Sequence, residues 1–155
     1  MDPIARRILE LYDQLERDTL DLHTLFEMVG GNPPAQREAV LDRVSEMTKS
    51  GLLCEDRRSD FYMRTEDGRL AVVGPRTITI YTREGCHLCE EAKSIILPLL
   101  SKYGATLREV DIDDDRTLLD RYTNDVPVVF LGAHKIAEHR VDPASLRRAL
   151  EQAKN

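Results

Sequence analysis

The sequence has few cysteines, no visible internal repeat, and no apolar run near the ~20 residues that a membrane-spanning helix needs. Its first seven residues, 1–7, lack the apolar core of a secretory signal peptide. Hydrophobic residues make up 41% of the 155 positions, which excludes a disordered or low-complexity chain. These features predict a cytoplasmic protein without a membrane partner, folded as one larger domain or two small ones.

Charge and cysteine content narrow the classes of function. The chain has 22 basic and 28 acidic residues, a net charge of −6, which argues against unspecific binding to nucleic-acid phosphates. The three cysteines are Cys54, Cys86 and Cys89. An odd, small number does not suggest a disulfide framework, whereas two cysteines three positions apart indicate redox chemistry or metal binding.

The clearest break in the hydrophobic pattern is Gly74-Pro75, which predicts two domains, residues 1–74 and 75–155. In the first domain, apolar residues recur at helical spacing in three segments. These segments lie at 4–15, 22–29 and 40–47. Asn32 is predicted to cap the third helix, with Pro33 in its first position.

A predicted hairpin follows the third helix, with strands at 52–54 and 61–64 and a polar turn between them. Three helices followed by a hairpin resemble a winged helix-turn-helix domain over roughly residues 3–72. This resemblance implies a third helix that could enter the major groove of DNA. Residues 1–75 carry 15 acidic and 10 basic side chains, however, so a protein or dimer contact is favoured over DNA. Cys54, on the first hairpin strand, is predicted to be a small half-buried residue, the alternative being a disulfide partner across the domains.

The second domain alternates between strands and helices, and its order β-α-β-α-β-β-α predicts an α/β fold with a mixed four-stranded sheet. Strands are predicted at 77–82, 106–112, 126–131 and 135–137, and helices at 86–103, 113–122 and from 143 onward. Pro98 is expected to kink or break the first of these helices. Asp113 or Asp114 is the expected cap of the second helix, and Asp142 the cap of the last.

The segment Cys86-His87-Leu88-Cys89 carries the strongest chemical signal, because it follows a strand and opens a helix. Free backbone N–H groups and the helix dipole stabilise a thiolate at that position, and the pKa in such motifs can fall to ~3.5–7.5. Cys86 is therefore predicted to attack and Cys89 to resolve the mixed disulfide. His87, if protonated, would favour the thiolate, the alternative being a simple exposed loop residue.

Two other interpretations of the cysteine pair are an inert buried pair and a structural zinc site. Zinc needs four nitrogen or sulfur ligands, and the chain has no second CxxC. No metal is therefore expected.

Three motifs in order resemble the small glutaredoxin-like proteins of the thioredoxin superfamily over roughly residues 76–152. They lie at 81–89, 110–113 and 125–130. The resemblance implies a thioredoxin-like fold and a cis Val126–Pro127 bond facing the active site, with the N–H and C=O of Val126 free to pair with an extended substrate. It also places Arg83 where the family often has a lysine, which implies a role in binding a substrate carboxylate.

Two departures from the family bear on the substrate. Residues 136–142 contain no Gly-Gly pair, and the chain has no tryptophan. The resemblance therefore does not favour glutathione, and no tightly bound cofactor is expected. The prediction is a thiol–disulfide oxidoreductase whose partner is a disulfide substrate or an electron-donor protein. The alternative is a redox-responsive winged-helix regulator or interaction protein in which the cysteine pair acts as a sensor.

Overall fold

The computed structural model describes residues 1–30 and 33–153 and divides between Val72 and Val73 into two units. Unit 1 comprises residues 1–72, and unit 2 comprises residues 73–153. The division falls within two residues of the sequence break at Gly74-Pro75. Among the described residues, no helix combines the length and the apolar character needed to span a bilayer.

The described residues of unit 1 form four helices and a three-stranded antiparallel sheet in the order β1-β3-β2. Its elements are α1 (Pro3–Gln14), β1 (Thr19–Asp21), α2 (Leu22–Val29), α3 (Pro34–Lys49), β2 (Leu53–Glu55), β3 (Phe61–Arg64) and α4 (Glu66–Leu70). The β2–β3 pairing confirms the predicted hairpin, and Cys54 lies half-buried on β2 as predicted. The element order is consistent with a winged helix, which stays a prediction.

The start of α3 differs from the prediction by one residue. Asn32, the predicted cap, lies outside the described residues. Pro33 is itself the N-cap, with extended backbone, and Pro34 takes the first helical position. Two successive prolines account for this, because the residue before a proline is disfavoured in helical geometry. Leu41, part of the predicted apolar pattern, is 43% exposed, whereas Val40 and Val44 are buried.

Gly68, in the short helix α4, packs directly against the backbone of the β2 entry. Thr65 fixes this contact, because its N–H donates to the Leu52 carbonyl oxygen at 3.1 Å and its hydroxyl lies 2.6 and 3.0 Å from the Gly51 and Leu52 carbonyl oxygens. The same hydroxyl accepts the Gly68 N–H at 3.1 Å. A Cβ at Gly68 would lie 2.2 Å from the Leu52 carbonyl oxygen. Only glycine fits this position without displacing backbone.

We therefore expect Gly68→Ala to lower the free energy of unfolding by about 1–3 kcal/mol, the usual cost of overpacking. Urea unfolding of the full chain, followed by far-UV circular dichroism, measures this loss. Gly30→Ala is the matched control, because its Cβ would meet nothing closer than 3.7 Å. Equal stability of the two variants would contradict the close packing of α4.

Unit 2 contains a four-stranded mixed sheet in the order β5-β4-β6-β7. Its elements are β4 (Thr77–Thr82), α5 (His87–Tyr103), β5 (Thr106–Asp111), a 3₁₀ turn (Ile112–Asp114), α6 (Arg116–Tyr122), β6 (Val128–Leu131), β7 (His134–Glu138) and α7 (Pro143–Gln152). β4 runs parallel to β5 and antiparallel to β6, and β6 is antiparallel to β7. This architecture confirms the predicted thioredoxin-like fold.

Side chains alternate between the two faces of this sheet and build a separate core on each. Ile78 and Ile80 of β4 belong to the larger cluster, which includes Ile96 of α5 and Leu146 of α7. Tyr81 belongs to the smaller cluster on the opposite face, together with residues of the 3₁₀ turn, α6 and β6. The sheet is thus covered by α5 and α7 on one face and by α6 on the other.

Local details of unit 2 correct three predictions. The cap of α6 is Asp115, not Asp113 or Asp114, because Asp111 accepts the Asp113 N–H and draws that segment into a 3₁₀ turn. α5 continues through the exposed Pro98, so the helix does not break there, whereas the alternative expectation of a kink stays a prediction. The third strand begins at Val128, two residues later than predicted. Asp142 caps α7 as predicted.

Candidate redox site

Three segments of unit 2 meet at one end of the sheet, beside the carboxyl end of β4. Thr82 pairs with Asp111, where the parallel strand β5 ends. Tyr81 pairs with Val128, where the antiparallel strand β6 begins. The segments that follow β4, follow β5 and precede β6 therefore meet here, and the first of them contains the cysteine pair.

Cys86 and Cys89 form a disulfide at the start of α5, with their Cα atoms 5.2 Å apart. Cys86 is the N-cap, and its Sγ accepts the backbone N–H of Cys89 at 3.2 Å. Gly85 precedes it with φ +73°, a left-handed conformation that turns the chain from the strand into the helix. The first cysteine sulfur therefore lies where the helix amides point.

The two sulfurs differ in their access to solvent. Cys86 is partly exposed, whereas Cys89 is 1% exposed and belongs to the buried residues of the domain. An incoming thiol or disulfide can reach only an accessible sulfur. Cys86 is therefore the cysteine that an incoming reactant can reach, and Cys89 is the buried one.

Arg83, the predicted substrate-binding residue, is engaged with an acidic side chain. Its Nε lies 3.1 Å from Oδ2 of Asp113, and both side chains are about 40% exposed. The backbone N–H of Asp113 is in turn donated to Oδ1 of Asp111 at 2.9 Å. Sequence reasoning missed this role of Asp113, because an acidic run before a helix also suits a helix cap. A carboxylate ligand would have to compete with Asp113 for Arg83.

His87 is the first residue of α5 and is exposed. This exposure suits the simpler interpretation of His87 as a solvent-facing residue. Its effect on the Cys86 thiolate stays a prediction.

The Val126–Pro127 bond is cis. The expectation that the Val126 N–H is free is wrong, because it donates to the Tyr122 carbonyl oxygen at 3.2 Å. This bond forms because α6 ends only four residues earlier and its last carbonyls need donors. Among the described residues, no hydrogen bond reaches the Val126 carbonyl oxygen. That oxygen remains the available backbone acceptor of this turn.

His139 holds the same turn from the other side and was missed by sequence reasoning. Its backbone N–H donates to the carbonyl oxygens of Pro127 and Asp125, at 2.9 and 3.3 Å. Its Nε2 lies 3.9 Å from Oδ1 of Asp125. With φ +62°, His139 adopts a left-handed conformation that usually favours glycine. The chain thus makes this turn in a segment that contains no Gly-Gly pair.

Three aromatic rings pack against one another near the end of β4. The ring of Tyr81 lies 5.1 Å from that of Tyr122 and 5.6 Å, edge to face, from that of Phe130. Val126 packs against the same cluster. These contacts tie the end of β4 to the segment that carries Val126 and Pro127.

The described residues contain no group of three or more metal-binding side chains that could hold an ion. The cysteine pair is instead joined in a disulfide, and Cys54 is not part of that bond.

Comparison with known proteins identifies unit 2. The family described as Glutaredoxin-like domain (DUF836) matches residues 77–151. Glutaredoxin-like protein YDR286C homolog of Dictyostelium discoideum is 38% identical over 80 residues, covering 48% of this chain and 74% of that protein. The chain belongs to the glutaredoxin-like family. The glutaredoxin-like domain and its CxxC-spaced cysteines are compatible with thiol–disulfide redox chemistry.

Solved structures similar to the glutaredoxin-like domain include Protein Ne2328 from Nitrosomonas europaea and thioredoxin O2 from Arabidopsis thaliana in its oxidised state. The first is 32% identical, with a TM-score of 0.43, covering 49% of this chain and 92% of that one. The second is 30% identical, with a TM-score of 0.39, covering 50% and 75%.

Unit 1 precedes the glutaredoxin-like domain, and two cations on its predicted DNA-facing elements are paired with carboxylates. Arg43 of α3 pairs with both Asp2 and Glu46. Arg58 in the hairpin turn pairs with Asp56 at 2.8 Å and lies over the Phe61 ring. A cation held by a carboxylate contributes less to phosphate binding. A protein or dimer contact through this unit stays the favoured prediction, and DNA binding the disfavoured one.

Proposed function

We propose that this protein is a thiol–disulfide oxidoreductase that uses Cys86 as nucleophile and Cys89 as resolving thiol. The observation that carries the proposal is the position of the two sulfurs. The partly exposed Cys86 Sγ sits at the amino end of α5, where it accepts an amide hydrogen bond, and Cys89 lies buried behind it. An accessible, stabilised thiolate with a second thiol within disulfide distance is what exchange requires.

Oxidation of the Cys86–Cys89 dithiol by a substrate disulfide needs no other co-reactant. The Cys86 thiolate attacks one sulfur of the substrate disulfide, forming a Cys86–substrate disulfide and releasing one substrate thiolate, which takes up a proton. Cys89, after losing its proton, attacks Cys86 Sγ and releases the second substrate thiol. Two electrons thus pass from the dithiol to the substrate, and the Cys86–Cys89 disulfide forms. A dithiol or thiol donor must then reduce it.

Substrate positioning is assigned to the turn that precedes β6. The Val126 carbonyl oxygen can accept an N–H from an extended substrate chain, and Pro127 is buried behind it. Arg83, whose backbone carbonyl oxygen accepts the Cys86 N–H at 3.2 Å, offers the remaining N–H groups of its guanidinium. These contacts suit a peptide or a small disulfide with a backbone-like amide. The site needs no tightly bound cofactor, and a reducing cytoplasmic compartment would favour regeneration of the dithiol.

The decisive measurement is the pH dependence of Cys86 alkylation in the reduced protein, resolved by mass spectrometry. We expect a thiol pKa below the unperturbed ~8.5, because the amides at the start of α5 favour the thiolate at closer range than the neighbouring carboxylates oppose it. The reduction potential of the pair should fall within roughly −120 to −270 mV, the range of catalytic dithiols. Cys54 serves as the internal comparison in the same spectra. An ordinary pKa together with a much more reducing pair would contradict the proposal.

A further inference from the structure

The three segments that meet around the cysteine pair are strongly acidic. Residues 83–91, 111–115 and 124–127 together contain eight carboxylates and one arginine. The same segments meet at the end of β4, where α5 begins with the partly exposed Cys86 as its N-cap. Residues 76–155 contain 13 acidic and 12 basic side chains, so the negative charge of this domain is concentrated in these three segments.

The nearby cations do not offset this charge. Arg83 is matched by Asp113 at 3.1 Å. Lys93 is shared between Glu90 and Glu109, at 3.0 and 3.5 Å. Arg140, which follows His139, adds one exposed positive charge.

Two carboxylates of this acidic group lie outside the ion pairs of the described residues. Glu84 and Asp114 are exposed, and no ion pair involving either is found in the part of the chain that the structure describes. Glu84 lies two residues before Cys86, and Asp114 follows the residue that binds Arg83. Both carboxylates therefore belong to segments that meet at the end of β4.

The opposite end of the domain has the opposite sign. A cleft of about 270 Å³ between the end of α5 and α7 is lined by Lys102, Arg147 and Arg148, with Glu151 as the one carboxylate among its described lining residues. Because α5 has 17 residues, this cleft lies roughly 25 Å along the helix from the cysteines. The glutaredoxin-like domain thus has a charge dipole whose negative end carries the disulfide.

We propose that the acidic edge, by which we mean the carboxylates of residues 83–91, 111–115 and 124–127, selects disulfides presented on positively charged partners and disfavours anionic disulfides. This inference rests on the proposed exchange activity and specifies the substrate class of that same site. A partly exposed sulfur within a field of one sign raises the local concentration of oppositely charged reactants, and such steering changes association rates by ~10- to 10³-fold. It also agrees with the expectation that glutathione, an anionic peptide, is not favoured.

The test is a single turnover of the pre-reduced full chain with three small disulfides. Cystamine is cationic, bis(2-hydroxyethyl) disulfide is neutral, and dithiodiglycolate is anionic. Because their leaving thiols differ in reactivity, each rate is divided by the rate with dithiothreitol under the same conditions. We expect the normalised cystamine rate to exceed the dithiodiglycolate rate by about 10-fold or more at low ionic strength. In 1 M salt, where the Debye length is ~3 Å, the ratio should fall to about twofold.

A charge-neutralised variant ties the effect to the named residues. Glu84→Gln combined with Asp114→Asn should reduce the cation-to-anion ratio by about two- to fivefold at low salt and leave the neutral rate unchanged. Glu151→Gln, at the far end of the domain, is the control and should leave the ratio unchanged.

The experiment distinguishes a failure of charge selection from a failure of the exchange activity. Equal normalised rates for cystamine and dithiodiglycolate would overturn the charge selection alone. The same conclusion would follow if Glu84→Gln combined with Asp114→Asn left their ratio unchanged. Failure to reduce the neutral disulfide would overturn the exchange activity itself.

Discussion

Cys86→Ser is expected to lower the rate of disulfide reduction by roughly 10³-fold or more, because a serine hydroxyl does not replace a thiolate nucleophile at neutral pH. The measurement is reduction of bis(2-hydroxyethyl) disulfide by the full chain with dithiothreitol as donor. Serine can still cap α5, since it is a preferred N-cap residue, so the fold should persist. Far-UV circular dichroism checks this. Loss of activity then reports on chemistry and not on folding.

Cys89→Ser should behave differently, because it leaves the outer sulfur in place and removes only the second step. A covalent adduct of Cys86 with the substrate thiol is expected to accumulate, visible as a mass increase that dithiothreitol reverses. Cys54→Ser is the matched control in unit 1 and should retain the full rate. Activity remaining in the Cys86→Ser variant would overturn the assignment, and adducts at Cys89 in place of Cys86 would reverse the roles.

Arg64→Ala is expected to lower the free energy of unfolding by about 3 kcal/mol. The Arg64 side chain, 7% exposed, ends β3 and reaches back to α1. Its Nη1 donates to the Leu9 carbonyl oxygen and to Oδ2 of Asp13, both at 2.9 Å, and its Nη2 also donates to Asp13. The guanidinium carbon lies 5.4 Å from the centre of the Tyr12 ring. Truncation removes all of these contacts and leaves a cavity.

Arg64→Lys separates charge from geometry. An ammonium cannot donate to both oxygens of Asp13 and to Leu9 at once, so this variant should still lose about 2 kcal/mol. Asp13→Asn should cost less than Arg64→Ala, because the Asp13 side chain is 66% exposed and can be solvated. Urea unfolding followed by far-UV circular dichroism gives all three values. Wild-type stability in Arg64→Lys would show that the planar guanidinium is not required.

The cysteine site was accessible to sequence reasoning because its chemistry is local. Strand, turn, Cys86, one helical turn and Cys89 follow one another along the chain, and residue spacing alone predicts their geometry. The apolar periodicity of β4 and α5 is strong for the same reason. Family resemblance extended this reading to Val126 and Pro127, which lie far away in sequence.

The parts that escaped prediction depend on contacts between distant segments. The three-residue strand β1 has a single buried residue, Leu20, which is too little for an alternation pattern. The pairing of Arg83 with Asp113 spans 30 positions, and the left-handed conformation of His139 is set by the turn that it supports. Among several adjacent acidic residues, Asp115 becomes the helix cap because the chain first makes a 3₁₀ turn. Residue type alone does not specify these outcomes.

The acidic edge and the cysteine pair have different origins in the chain. Residues 83–89 form the reactive junction on one continuous segment, whereas many of the neighbouring carboxylates come from residues 111–115 and 124–127, elsewhere in the chain. Substitutions in those two segments can therefore change which partners approach without altering the helix amides that hold the thiolate. Partner choice and reactivity can diverge independently among relatives of this chain, and an engineer could exchange one while preserving the other.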